Sequence, residues 1–237
     1  MITAKKCEEA LETARANLAK MEPFLPTKVS AGDLNVWATA PYKALVVRGG
    51  LLWRSQELGT DAIQAFADGR LATAIILTRA VIENVALHWR LSDLITQRKD
   101  TSGSDLSDTL SRMLVGWKND KEFPQAFNAL TMVDRLDKII PGVRDSYDQL
   151  SEVAHPNYGG VHGLYAENDE ENFVTHLGPN VRDATPRHAV LILAASLGLQ
   201  FNADVQFFDA LKEWIGELPS LDDERPQDEE WWEPKAG

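Results

Sequence analysis

Arg79 and Glu83 stand four residues apart in Thr78-Arg79-Ala80-Val81-Ile82-Glu83, inside one of the most apolar stretches of the chain. At that spacing the two side chains share a helix face and can pair, and Arg90 falls on the same side. Charge on an otherwise buried helix needs a partner, because an unpaired buried charge is strongly destabilising. The pair is therefore either an intrahelical lock or half of a polar site completed by another element. A second element with chemical potential is Tyr147 to Gly160, a helix-forming run with His155 in its last turn, followed by Pro156 and Gly159-Gly160. Pro156 lacks an N–H and steers His155 away from the α region, and the two glycines can take positive φ. This places an imidazole at the carboxyl end of a helix, where the dipole favours a cation. Such a group can cap the helix, bind a ligand or act as a general acid or base. His155, Arg79 and Glu83 are accordingly the candidate catalytic residues, expected to converge on one polar site.

Other chemistries find less support. His155, His162, His176 and His188 surround a segment carrying Glu167 and Asp169, but no HExxH or comparable ligand spacing is present, and no metal site is assigned. Ser151 lies four residues before His155 without a GxSxG elbow. There is no GxGxxG and no GxxxxGK[ST], so no nucleotide cofactor is expected. A single cysteine, Cys7, excludes an internal disulfide and a cysteine-based zinc cluster.

The net charge is −12, and from Glu217 to Gly237 eight acids face two bases, so half the excess sits in the last 21 residues. Neither the body nor this tail is built to neutralise phosphates. The longest strongly apolar stretches, Leu71 to Leu77 and Ala189 to Leu199, are too short to span a bilayer, and no membrane partner is expected. Lys5-Lys6-Cys7-Glu8-Glu9 is followed by no apolar signal core, which points to a cytoplasmic protein.

The elements that must position these residues are mostly helical. An amphipathic helix is expected from Thr3 to Met21, a second from Pro41 toward Asp68, and a central third from Arg70 to about Arg98. Two shorter helices follow, about Ser107 to Trp117 and Pro124 to Ile139, and then the His155 helix from about Val143. Val161 to Ala166 and Asn172 to Leu177 flank an acidic tip and read as a small β-hairpin or irregular excursion over 161–177. Pro179 and Pro186 frame a loop before a long helix from about Arg187 to Glu217. The fold class is mainly α, a helical bundle with one short hairpin. It divides into an N-terminal helix and loop (1–30), a bundle domain (41–217) and an acidic tail (218–237), where Trp231-Trp232 is either a docking motif or folds back on the domain. The second helix carries Leu45, Val46, Val47, Leu51, Leu52 and Trp53 around Gly49-Gly50, more apolar surface than one small bundle needs. A helix-mediated homodimer is expected from it.

The helix with Thr78-Arg79-Ala80-Val81-Ile82-Glu83 and the later Leu150-Ser151-Glu152-Val153-Ala154-His155-Pro156 together resemble bacterial helical proteins of the HEPN-like type, over roughly Tyr42 to Leu199. The resemblance implies a helical bundle, frequent dimers and, in many members, metal-independent ribonuclease activity in toxin or defence systems. Ribonuclease members carry an arginine, four to six residues, then a histidine. Here the nearest arginine upstream of His155 is Arg144, with ten residues between them. A non-catalytic binding or interaction protein, taking a small or anionic ligand in the polar pocket, is therefore the first reading. The alternative is a diverged ribonuclease acting on RNA, with His155 as acid–base residue and Arg79 or Arg144 stabilising the phosphate transition state.

Overall fold

Helix formation starts where the sequence supplies caps. The computed structural model describes residues 3–36, 38–179 and 188–220. Helix α1 (Ala4–Met21) begins at Thr3, whose Oγ1 accepts the Lys6 N–H at 3.3 Å. Helix α2 (Ala40–Ala67) carries Pro41 in its first turn, where a missing N–H costs nothing. The chain turns through Gly69 at φ 71 into α3 (Leu71–Thr96). Helices α4 (Gly103–Val115), α5 (Ala129–Ile139), α6 (Val143–Ala154) and the single turn α7 (His162–Tyr165) follow. Strands β1 (Ala166–Asp169) and β2 (Val174–Leu177) form an antiparallel hairpin, and α8 (His188–Glu217) closes the bundle.

The long helices α3 and α8 pack side by side at the centre, with α2 and α1 against them. Helices α5 and α6 cover another side of α3, and α4 lies on α2. Two apolar clusters fill the interior. One joins Leu18, Ile75, Ile82, Leu136, Leu150 and Leu193; the other joins Leu51, Leu91, Leu110, Phe207, Leu211 and Trp214. The clusters divide α3 between Ala86 and Leu91, and α8 between Leu197 and Phe207. Buried polar residues occupy that gap.

The mainly helical bundle with one short hairpin is the fold the sequence indicates, with local corrections. Helix α4 starts at Gly103 rather than Ser107, because the Ser102 hydroxyl accepts the Asp105 N–H and caps it earlier. Helix α5 starts at Ala129 rather than Pro124, because Asn128 caps Leu130 and Thr131 while Trp117 pairs its backbone with Pro124 and Ala126. The first strand begins at Ala166, where the expected run ended, since residues 162–165 coil into α7.

The pair Gly159-Gly160 does not use positive φ, which among the described glycines occurs at Gly69 and Gly142. A Cβ on Gly160 would lie 2.0 Å from the His155 carbonyl oxygen and 2.5 Å from that of Val153. Glycine serves close approach there, not handedness.

The apolar surface of α2 is also spent differently. Val47, Leu51 and Leu52 are buried in the protomer's own core, while Trp53 is exposed and donates its indole N–H to the Pro26 carbonyl at 2.8 Å. Gly49 admits the same loop, its virtual Cβ 2.8 Å from Pro26 Cγ. Of the α2 surface on which the homodimer expectation rested, Leu45 and Val46 are half-buried and Trp53 remains exposed.

Helices α3 and α8, at 26 and 30 residues, are long and apolar enough to cross a membrane by length and composition, with half of each most apolar window buried in the bundle. The strongly apolar stretches within them are shorter, but the average over 18 residues stays high because isolated polar residues lower it little. Residues Pro186, Arg187, Trp231 and Trp232 lie outside the described residues. The start of the expected tail does not: Ser220 bridges to Val36, and Asn35 Nδ2 donates to its hydroxyl at 3.0 Å.

Candidate functional site

Arg79 and Glu83 do meet a third residue, and it is Tyr147. Three apolar turns of α3 and the amphipathic face of α6 bring these side chains together at the α3–α6 seam. Arg79 Nη2 donates to the Tyr147 hydroxyl at 2.7 Å, and that hydroxyl donates to Glu83 Oε1 at 2.8 Å. The guanidinium lies 3.5 Å from the same carboxylate oxygen and 4.9 Å from the centre of the tyrosine ring. Burial, reinforced by Glu83 and opposed by Arg79, raises the Tyr147 phenol above its ordinary pKa, so it stays a donor. Arg79 and Glu83 retain about 30% side-chain exposure, and the guanidinium Nε is buried without a partner. The arrangement clips two helices together and pairs the two charges, with Arg79 Nε left over.

His155 does not join them. It is the C-cap of α6, at φ −83 and ψ 149, the extended conformation that the following proline favours. Its N–H donates to the Ser151 carbonyl at 3.1 Å, and its carbonyl accepts the Asn157 N–H at 2.8 Å. The backbone is held; the side chain is exposed and makes no hydrogen bond or ion pair among the described residues. Tyr147 lies eight residues earlier on α6, roughly 12 Å along the axis. Nor does the serine reach the imidazole, since Ser151 Oγ is buried without a partner.

Arg144 is engaged elsewhere. Its Nε donates to both oxygens of Asp148, at 3.0 and 2.9 Å, and Nη1 pairs with Asp134. Of the remaining histidines, His162 stacks on Tyr158 with ring centres 4.9 Å apart, and His176 sits across the hairpin from Glu167. Among the described residues no three His, Cys, Asp or Glu side chains are placed to hold a metal ion.

The most demanding electrostatics lie in the core, where no site was expected. Arg48 of α2 makes a two-pronged contact with Asp204 of α8, Nε to Oδ1 at 2.7 Å and Nη2 to Oδ2 at 2.9 Å, with each side chain about 5% exposed or less. The guanidinium also donates to the Phe24 carbonyl at 3.3 Å and stacks over the Phe208 ring at 4.2 Å. His88 of α3 completes the group, its Nε2 3.5 Å from Asp204 Oδ1 and its Nδ1 against the Gln200 side-chain amide. Burial, and then the nearby Arg48 charge, lowers the His88 pKa to about 3, so the imidazole is neutral. Below it, Asn84 donates to Ser55 Oγ at 2.7 Å and to the Leu51 carbonyl at 2.8 Å. These buried polar side chains lie between the two apolar clusters, with Arg48 and Asp204 fully paired, while His88 Nε2 and Gln200 Oε1 are buried without a hydrogen-bond partner.

The signal for this network was present. On α8 the buried positions Leu193, Leu197, Gln200, Asp204, Phe207 and Leu211 follow helical spacing, so an acid occupies the core stripe. A buried acid requires a cation on a facing helix, and Arg48 sits alone between Val47 and Gly49.

Comparison of the chain with protein-family models, with curated proteins and with solved structures gives no match.

Proposed function

We propose that this chain is a helical binding or interaction protein of HEPN-like type, without catalysis of its own. One observation carries the reading: the three candidate catalytic side chains do not converge. Arg79 and Glu83 pair with each other and are bridged by the Tyr147 hydroxyl, and the exposed His155 has no arginine or carboxylate partner among the described residues. General acid–base cleavage of RNA needs a positioned cation beside the imidazole to stabilise the developing phosphorane charge. Arg79 and Arg144 are both committed to carboxylates.

The test is a cleavage assay of the full chain on structured and single-stranded RNA, in chelator, with His155→Ala as the partner sample. No turnover above buffer is expected from either protein, with matching melting temperatures because the exposed imidazole makes no hydrogen bond or ion pair among the described residues. Cleavage by the wild type that His155→Ala abolishes would overturn the proposal in favour of the ribonuclease reading.

A further inference from the structure

The hairpin contains a residue that folding alone does not explain. Phe173 sits at φ 56, in the left-handed region that a bulky aromatic avoids, and is 96% exposed. The turn is firmly built. Asp169 Oδ1 accepts the N–H groups of Glu171 and Asn172, both at 3.1 Å, and Oδ2 accepts Asn172 Nδ2 at 2.7 Å. Asn172 in particular holds the Asp169 carboxyl below its usual pKa, so the tip stays assembled near neutral pH. Glycine or asparagine would fit position 173 without strain. A phenylalanine there gives up stability and, at 96% exposure, buries almost none of its ring.

The strand behind it is unusual in the same sense. Every residue of β2, Val174-Thr175-His176-Leu177, is exposed, with Leu177 at 77%. Among the described residues β2 pairs with β1 alone, so its outer edge offers free backbone groups. Exposed edges are ordinarily protected by charge, proline or a bulge, and β2 has no Lys, Arg, Asp, Glu or Pro. The acids of the hairpin, Glu167, Asp169, Glu170 and Glu171, lie on β1 and at the tip.

At the root of the hairpin the α2–α3 corner forms a cavity of about 340 Å³ lined by Arg70, Leu71, Ala72, Leu164, Tyr165 and Pro179. A cavity of roughly 150 Å³ already accepts a benzene ring. Asp68 also borders it, and binds Arg70 through Nε and Nη2, which leaves Nη1 of the guanidinium for an incoming carboxylate.

We infer that β2 pairs antiparallel with β2 of a second copy of this chain, each Phe173 entering the root cavity of the other. Antiparallel pairing about a two-fold axis sets the tip of one hairpin beside the root of its mate, about 13 Å away along a four-residue strand. It brings the acidic tip to Arg70 rather than to the other acidic tip, and it places the uncharged β2 strands in the middle. The inference rests on the interaction-protein reading and names the partner. The surface is small, so the dimer is weak, in the micromolar range.

Sedimentation equilibrium of the full chain across micromolar concentrations tests it, with Phe173→Gly and Thr175→Lys as variants. The wild type should shift reversibly from 26.4 kDa to twice that mass. Phe173→Gly, which relieves the strained backbone, should keep the helical circular dichroism and raise the dissociation constant about 30-fold. Thr175→Lys sets like charges near the two-fold axis and should leave a monomer. A wild type that stays monomeric throughout, or a dimer that neither substitution weakens, overturns the pairing. Both results are separate from RNA cleavage, which alone decides the reading beneath it.

Discussion

Asp204→Asn removes one charge from the buried Arg48–Asp204 pair while keeping size and one acceptor. Each residue is only 3% exposed, so water cannot replace the lost partner for the guanidinium. Breaking a buried pair from one side costs about 3–5 kcal/mol. The asparagine can still receive the Arg48 Nε–H, and Arg48 keeps its bond to the Phe24 carbonyl and its stacking on Phe208, so the lower end, about 3 kcal/mol, is expected. For a chain of this length each kcal/mol moves the midpoint by about 2–4 °C, which gives a drop of about 6–12 °C. Thermal and urea unfolding followed by circular dichroism at pH 7 read both quantities. The companion is Arg48→Met with Asp204→Leu, which removes both charges at similar volume. It should recover most of the loss and come within about 1 kcal/mol of wild type, because the desolvation of both ions is removed as well. A loss below about 1 kcal/mol in Asp204→Asn would mean that the pair is hydrated. A double variant as unstable as the two single changes added together would mean that the two residues are uncoupled. Either result would refute the account of the core.

The same centre sets a pH response. His88 has its folded pKa lowered to about 3, below the ordinary histidine value, so the unfolded chain binds its proton first. Stability is therefore fully present above about pH 6.5 and declines as pH falls toward 3, with a slope of up to about 1.4 kcal/mol per unit. Urea unfolding from pH 7 to 5, compared with His88→Phe, should show that slope in the wild type and a flatter line in the variant; equal slopes would sink the assignment. At the other end of the bundle, Gly160→Ala drives a methyl into the His155 and Val153 carbonyls, while Gly159→Ala meets its nearest neighbour, the Glu152 carbonyl, at 3.3 Å. The first should cost about 1–3 kcal/mol and expose the amides of Asn157 and Val161 to hydrogen exchange. The second should cost clearly less, and equal costs would refute the close-approach role.

How much of this was legible depends on what each residue had to know. The long helices were readable because the needed information is local: apolar spacing, Pro41 at a helix start, Gly69 at a turn. The boundary of α4 slipped because Ser102 competes with Thr101, Ser104, Asp105 and Ser107 as a cap, and that of α5 because Pro124 suits a first turn but its carbonyl is taken by the Trp117 N–H. Arg79 and Glu83 were legible as a pair since they are four apart on one helix. Tyr147 was not, because its distance from them is set by how α5 and α6 fold back on α3.

The core network shows where single-helix reading stops. Arg48, His88 and Asp204 each look like an isolated polar substitution in an apolar run, and each alone would be a destabilising error. Only the juxtaposition of α2, α3 and α8 pairs Arg48 with Asp204 and sets His88 beside them. The sequence constraint is therefore on charge balance across three helices, and no motif search within one helix can register it. His155 is the opposite case. Its surroundings, a helix end followed by proline and glycines, are wholly local and fully legible, yet a catalytic role depends on partners from other elements. The same tertiary packing that delivers Arg48 to Asp204 carries Tyr147 rather than His155 to Arg79 and Glu83. A residue that looks poised in sequence depends on the partners the fold supplies, and beside Arg79 and Glu83 that place is held by Tyr147.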